Sequence, residues 1–218
     1  MSNLAAIRDL VERDLDDTGN EIWSTDDVDR AIERALMDYS QAHPQPAVST
    51  LELSADGREV NIGSISGLTR VVRVWYPYHS CAPESPPNWV RWDKWGDVLY
   101  LSSDEEPASG ATVRIFYHKV HTVEGLGEAQ STSVPSEDEE ALVLGAAAYA
   151  VLQKARGSVG KAGVSSETPE HWLSWAESRM RAFQERLQQV RKRELRRIDK
   201  RVPLHREGWE VGQQEGGI

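Results

Sequence analysis

Glu139-Glu140-Ala141-Leu142-Val143-Leu144-Gly145-Ala146-Ala147-Ala148-Tyr149-Ala150-Val151-Leu152-Gln153-Lys154 is the stretch that decides the fold of this chain. From Ala141 to Leu152 a helix would be apolar on every side and rich in alanine. Such a helix has no face for water, so other elements must surround it, and its small side chains let neighbouring backbones come close. The run is well short of the roughly 20 apolar residues that span a membrane, so protein must cover it. Ser136, three residues before Glu139, predicts a capping box at its start.

Toward the C-terminus, Gly157, Gly160 and Gly163 predict a flexible link. Thr168-Pro169-Glu170 then opens a last helix with an N-cap, a proline at the first helical position and an acid in the first turn. Its stripe is Trp172, Ala176, Met180, Phe183, Leu187 and Val190. The helix can run to about Arg201, roughly 50 Å at about 1.5 Å per residue. One subunit is expected to leave part of such a length uncovered, so the second half is expected to project toward another chain. Pro203 ends it, and the Gly- and Gln-rich tail to Ile218 holds one large anchor, Trp209.

Toward the N-terminus, Leu4, Ile7, Val11 and Leu15 predict a short helix over residues 3–15. Ser24 and Asp27 form a capping box for a second, with Val28, Ile32, Ala35, Leu36 and Tyr39 as its stripe and His43-Pro44 as its end. Between the two helical pairs the period becomes alternating. Leu51 and Leu53 precede a hairpin turn at Asp56-Gly57, and Val60 and Ile62 form the return strand. Leu68 to Tyr76, Trp89 to Trp95, Asp97 to Ser102 and Thr112 to Tyr117 are further strands. The expected class is α+β: a four-helix framework with a long C-terminal helix and an inserted antiparallel β module, a small sandwich or barrel. Residues 1–46 and 134–202 form the helical domain, 47–123 the β module and 203–218 the tail.

Of the 218 residues, 28% are charged and 39% hydrophobic, values of a globular chain. A net charge of −10 argues against wrapping nucleic acid with the whole surface. The charge is segregated. Residues 1–40 hold eleven acids and four bases, a net of −7, whereas residues 176–206 hold four acids and eleven bases, a net of +7. The two ends can pair within a subunit or between neighbours. Cys81 is the only cysteine, so no internal disulfide forms, and it reads as a buried or loop thiol. The N-terminus lacks a signal-peptide pattern, so a soluble chain made in a reducing compartment is expected.

Candidate chemical sites are sparse. Gly157-Ser158-Val159-Gly160-Lys161 misses the first glycine and the magnesium-holding hydroxyl of a phosphate loop, with Ala155 and Ala162 in those places. His118 and His121 lack two further ligands for zinc and read as surface loop histidines, with His43, His79, His171 and His205 scattered. Asp16, Asp17, Asp26, Asp27 and Asp29 form an acidic patch without the spacing of a calcium loop. Trp89 and Trp95 would share one strand face with Trp92 opposite, packing in the β core or on a neighbouring subunit. Neither a cofactor nor a metal is implied, and no catalytic signature emerges, so no enzyme activity is expected.

Ile7-Arg8-Asp9-Leu10, Asp16-Asp17, Trp23-Ser24-Thr25-Asp26-Asp27-Val28-Asp29 and Ala31-Ile32-Glu33-Arg34-Ala35-Leu36, with the alanine-rich third and long fourth helices, resemble the head-to-tail adaptor (connector) proteins of tailed bacteriophages. The likeness covers the helical framework. It implies a virion protein at the head–tail interface, made in the host cytoplasm. Such a protein docks under the capsid portal as a ring, commonly of twelve copies. The ring extends the DNA channel and offers a platform to a tail-side connector or tail protein. Arg196, Arg197, Lys200, Arg201 and Trp209 would then meet the portal, and Asp16, Asp17, Asp26 and Asp27 would line a channel that must not grip phosphates. Two other readings are a nucleic-acid-binding accessory protein using the basic last helix and a carbohydrate-binding module using the tryptophans.

Overall fold

The computed structural model describes residues 2–83, 87–158 and 167–201, with side chains left out at 157–158, 167–169 and 195–201. The helices are α1 (Leu4–Asp14), α2 (Thr25–Ala42), α3 (Glu139–Ser158) and α4 (Glu167–Arg201). The strands are β1 (Gln45–Glu52), β2 (Glu59–Asn61), β3 (Leu68–Trp75), β4 (Trp89–Trp95), β5 (Val98–Ser102) and β6 (Thr112–Lys119).

The alanine-rich helix sits at the centre of one core. Leu142, Ala146, Ala147, Ala150 and Val151 of α3 meet Ile7 and Val11 of α1, Ile32, Ala35 and Tyr39 of α2, and Ala176, Phe183 and Val190 of α4. Gly145 marks the closest approach. A Cβ there would stand 2.9 Å from two ring carbons of Phe183 and 3.0 Å from Ala35 Cβ, so only a hydrogen fits between α2, α3 and α4. Asn3 caps α1 by accepting from Ala6 N, and Ser24 and Asp27 form the predicted capping box of α2. The capping box predicted at Ser136 is absent. Residues Ser136–Asp138 form a 3-10 turn, and Glu139 instead accepts hydrogen bonds from Ser2 N and Oγ at 2.8 and 2.7 Å. The N-terminal strand of chain thus takes the carboxylate that the cap would have used.

The long helix also differs from expectation. Its inner stripe stays buried as far as Val190, and polar anchors hold it to the same subunit as far as Glu194. Past Val190 the contacts are polar: the 3-10 turn before α3 offers Glu137 and Asp138 to Arg193, so α4 stays against its own subunit beyond the apolar stripe.

The six strands form one antiparallel sheet in the order β1-β6-β3-β4-β5-β2, curled into a half-barrel. Leu53, Val60, Val71, Val74, Leu99, Leu101, Val113 and Ile115 fill its inner side. The hairpin predicted at Asp56-Gly57 does not form a strand pair: β1 pairs with β6, β2 pairs with β5, and the two lie at opposite edges. The turn itself exists, with Gly57 at φ 125°. It docks on the loop before β6, where Gly57 N donates to Pro107 O at 2.8 Å and Asp56 Oδ1 accepts from Ser109 N at 2.7 Å.

Candidate functional site

Gln45 at the start of β1 is the cross-strand partner of Lys119 at the end of β6, so the chain enters and leaves the sheet side by side. Just beyond these two residues, on the helical side, lie His43 and His121. Their rings stack at 5.3 Å with 19° between the planes. Tyr39, one turn before His43 on α2, has its hydroxyl 3.0 Å from His43 Nδ1 and donates to Asp138 Oδ2 at 2.7 Å. Arg193 of α4 donates to the same Asp138 oxygen and pairs with Glu137 at 3.0 Å. His43 Nε2 lies 3.2 Å from Glu194 Oε1. Ser40 Oγ accepts from His121 N at 3.0 Å, and His121 Nδ1 is 3.1 Å from both Ser133 oxygens.

This neck is buried and polar. Asp138 is 5% exposed, His121 4% and Tyr39 0%. Burial, then the hydrogen bond to Asp138, pushes the Tyr39 phenol well above its ordinary value. Burial, then the neighbouring His43, pushes the His121 imidazole below its ordinary value. The Asp138 hydrogen bond raises the Arg193 guanidinium against the opposing effect of burial. Among the described residues, His121 Nε2 and Arg193 Nε are buried without a hydrogen-bond partner. The rings face protein groups, so the arrangement fastens α4 and the 3-10 turn to both crossings of the neck.

Two further pairs fasten α4: Arg179 to Asp14 at 2.6 Å and Arg186 to Glu140. The first unites part of the acidic N-terminal and basic C-terminal charge within one subunit. Arg181, Arg191 and Lys192 stay on the exposed side, with no ion pair among the described residues. The backbone continues as helix to Arg201. The side chains of Arg196, Arg197, Lys200 and Arg201, and the whole of Trp209, lie outside the described residues.

The four aspartates expected to line a channel separate into two pairs. Asp16 and Asp26 are exposed. Asp17 is a correction: it is 6% exposed, and its carboxylate accepts backbone N–H bonds from Glu21, Ile22 and Trp23 at 3.0, 3.0 and 2.9 Å. Burial alone would raise its carboxyl, yet the three donors together hold it below the ordinary value. It shapes the α1–α2 loop and faces no solvent. Asp27 is half-buried and engaged, bonded to Ser24 and paired with Arg30 at 2.6 Å, and these partners lower its carboxyl in that order.

Trp89 and Trp95 point outward from β4 and Trp92 packs on the β core, the alternation that the sequence predicts. His121 and His43 correct the reading of surface histidines: they are buried together, although 78 residues separate them in the chain (121 − 43). Cys81 is exposed in the loop before β4. Among the described residues, no cluster of His, Cys, Asp and Glu could hold a metal ion, and no helix is long and apolar enough to cross a membrane. Gly160, Lys161 and Ala162 lie outside the described residues. Sequence reasoning missed the neck. The Tyr39–His43 spacing of one helical turn was a local signal, but Asp138 lies 99 residues away and nothing in the pattern joins them.

The fold and site define an α+β protein in which a curled sheet is fastened to a helical frame by a buried polar neck. No protein-family model matches the chain, and no curated protein matches it. Among solved structures it is similar, at 14% identity and a TM-score of 0.30, to a chain described as the neck of an empty GTA particle computed with C6 symmetry. The likeness spans 78% of this chain and 87% of that one. A TM-score of 0.30 is too low to define a shared fold, so the functional reading rests on the residues of this chain.

Proposed function

We propose that this chain is a structural, non-catalytic head-to-tail adaptor. It docks under a capsid portal as a ring, about twelve copies by resemblance to phage connectors, extends the DNA channel and gives a tail-side protein its platform. The observation that carries the reading is the way α4 is held. Four anchors, on α1, the end of α2, the turn before α3 and the first turn of α3, fix it up to Glu194, and the helix then continues about 10 Å to Arg201 with a strongly basic sequence. A rigid helix that delivers a cluster of guanidiniums suits docking onto an acidic protein surface. Exposed Asp16 and Asp26 suit a lumen through which DNA must slide without being gripped.

Reversing Arg196, Arg197, Lys200 and Arg201 to glutamate is expected to abolish co-assembly with portal, read by mass measurement of the mixture, and to leave the melting temperature unchanged. Portal binding that survives the reversal refutes the docking role. A duplex-DNA titration at two salt concentrations separates the competing nucleic-acid reading, which requires tight binding that weakens steeply with salt. Replacing Asp16 and Asp26 with lysine is expected to impair DNA passage or retention in particles whose rings are intact, and normal particles refute the lumenal role.

A further inference from the structure

The sheet has a break in it. β3 and β4 pair only through Val74–Val90 and Trp75–Trp89, with Tyr76 N donating to Asn88 O beyond them. On the other side of these pairs the strands part. β3 carries irregularities at Leu68/Arg70 and Val71/Arg73, which bend it toward β6, while β4 follows β5 from Arg91 to Trp95. A cleft of about 620 Å³ opens between them, lined by Val72 and Arg73 on one wall and Trp89, Arg91, Trp92 and Asp93 on the other. Among the described residues no further strand pair bridges it, so each wall presents backbone that the ladder leaves unfilled.

The side chains around the cleft are mainly apolar and basic. Val72 is 43% exposed and Trp89 42%, apolar surface that the subunit leaves open, and Trp95, farther along β4, is 80% exposed. Arg73 lies over the ring of Trp89 at 5.2 Å, and Arg114 lies over Tyr78 at 4.7 Å. A guanidinium over an aromatic ring still has N–H donors to offer a carboxylate in a fork. Among the described residues, Arg70, Arg73 and Arg91 have no ion pair and Asp93 is the one carboxylate on the cleft wall.

We infer that the cleft between β3 and β4 is a docking slot for an extended acidic segment of a partner protein, which adds to the sheet as a strand, sets carboxylates against Arg73 and Arg91 and lays an apolar side chain on Val72. An extended peptide is favoured over a single nucleic-acid strand for two reasons. Its backbone supplies the donors and acceptors that the parted strands lack. Base stacking in the cleft needs an open ring face there, and Arg73 lies over Trp89 while Trp75 and Tyr78 are buried; the exposed ring of Trp95 lies outside the cleft lining.

The probe is a synthetic peptide of about eight residues alternating Glu and Val, the length of an ordinary strand. It is titrated against the full chain and followed by tryptophan fluorescence and amide hydrogen exchange. Binding below about 1 mM is expected, with slowed exchange at residues 70–73 and 91–95. R73E/R91E is expected to weaken it at least about tenfold with a nearly unchanged melting temperature, because both side chains are exposed, neither has an ion pair among the described residues, and the Arg73–Trp89 contact lies at the surface. A Lys-Val peptide and a Glu-Pro peptide are expected to fail, the first for its charge and the second for its missing N–H groups. No binding of the Glu-Val peptide overturns the inference. So does binding that ignores R73E/R91E, equal binding of the Glu-Pro peptide, or tighter binding of an oligonucleotide of matched length. None of these readouts involves portal or ring, so failure here leaves the adaptor reading standing.

Discussion

Gly145→Ala tests the packing of the helical core at its tightest point. In an isolated helix the change would stabilise, by about 1 kcal/mol, because alanine is the better helix former. Here the added methyl would lie 2.9 Å from Phe183 Cε1 and Cζ and 3.0 Å from Ala35 Cβ, all well inside ordinary carbon contact. Phe183 is 1% exposed and Ala35 0%, so neither has room to retreat, and α4 is braced from outside by ion pairs to α1 and α3 and α2 by the Arg8–Asp29 pair to α1. Overpacking of this kind costs about 1–3 kcal/mol, which exceeds the propensity gain at most of that range. The expected net is a loss of up to about 2 kcal/mol, or up to several degrees in melting temperature for a chain of this size. Urea unfolding of the single variant, of Phe183→Leu and of the double variant closes a cycle. The double variant is expected to be less destabilised than the sum by at least about 0.5 kcal/mol, since the smaller side chain makes the room that the methyl needs. A Gly145→Ala variant more stable than the parent, with additive behaviour of the pair, would mean that the three helices do not meet as described.

Asp17→Ala is expected to cost about 2–3 kcal/mol in urea unfolding, since three backbone N–H groups lose an ionised acceptor, and a cost near zero contradicts its burial. Arg193→Met leaves Asp138 buried with Tyr39 as its remaining side-chain partner, and a loss of about 1–3 kcal/mol is expected after allowing for the partial exposure of the guanidinium; calorimetry measures it. The His121 imidazole is held below its ordinary value in the folded state, so the unfolded chain takes the proton first. Stability is therefore level above about pH 6.5 and falls as the pH drops below it. His121→Asn is expected to flatten that slope, with His43, Tyr39, Asp138, Glu137, Arg193, Glu194 and Ser133 still facing the site, and an unchanged slope removes His121 as its source.

What was legible in the sequence is what is local. Alanine-rich α3, the Ser24–Asp27 cap and the alternation of Trp89, Trp92 and Trp95 each depend on neighbours within a turn or a strand. The pairing of β1 and β2 was misread because Asp56-Gly57 is a good hairpin signal on its own, and only the distant Pro107 and Ser109 make it a docking turn. Asp17 looked like one more surface acid, since its role depends on a loop that curls three N–H groups onto one carboxylate. The neck failed for a different reason. Tyr39, Asp138 and Arg193 come from three separate elements, and no periodicity relates them.

The neighbouring positions of Gln45 and Lys119 bear on how such a chain can change over generations. Cross-strand partners stand about 5 Å apart, a gap that a tight turn spans. Everything between them could be excised, or exchanged for a graft of different shape, without forcing α2 and α3 to move. The helical body would then act as a chassis on which new surface specificities are mounted at a single point of attachment.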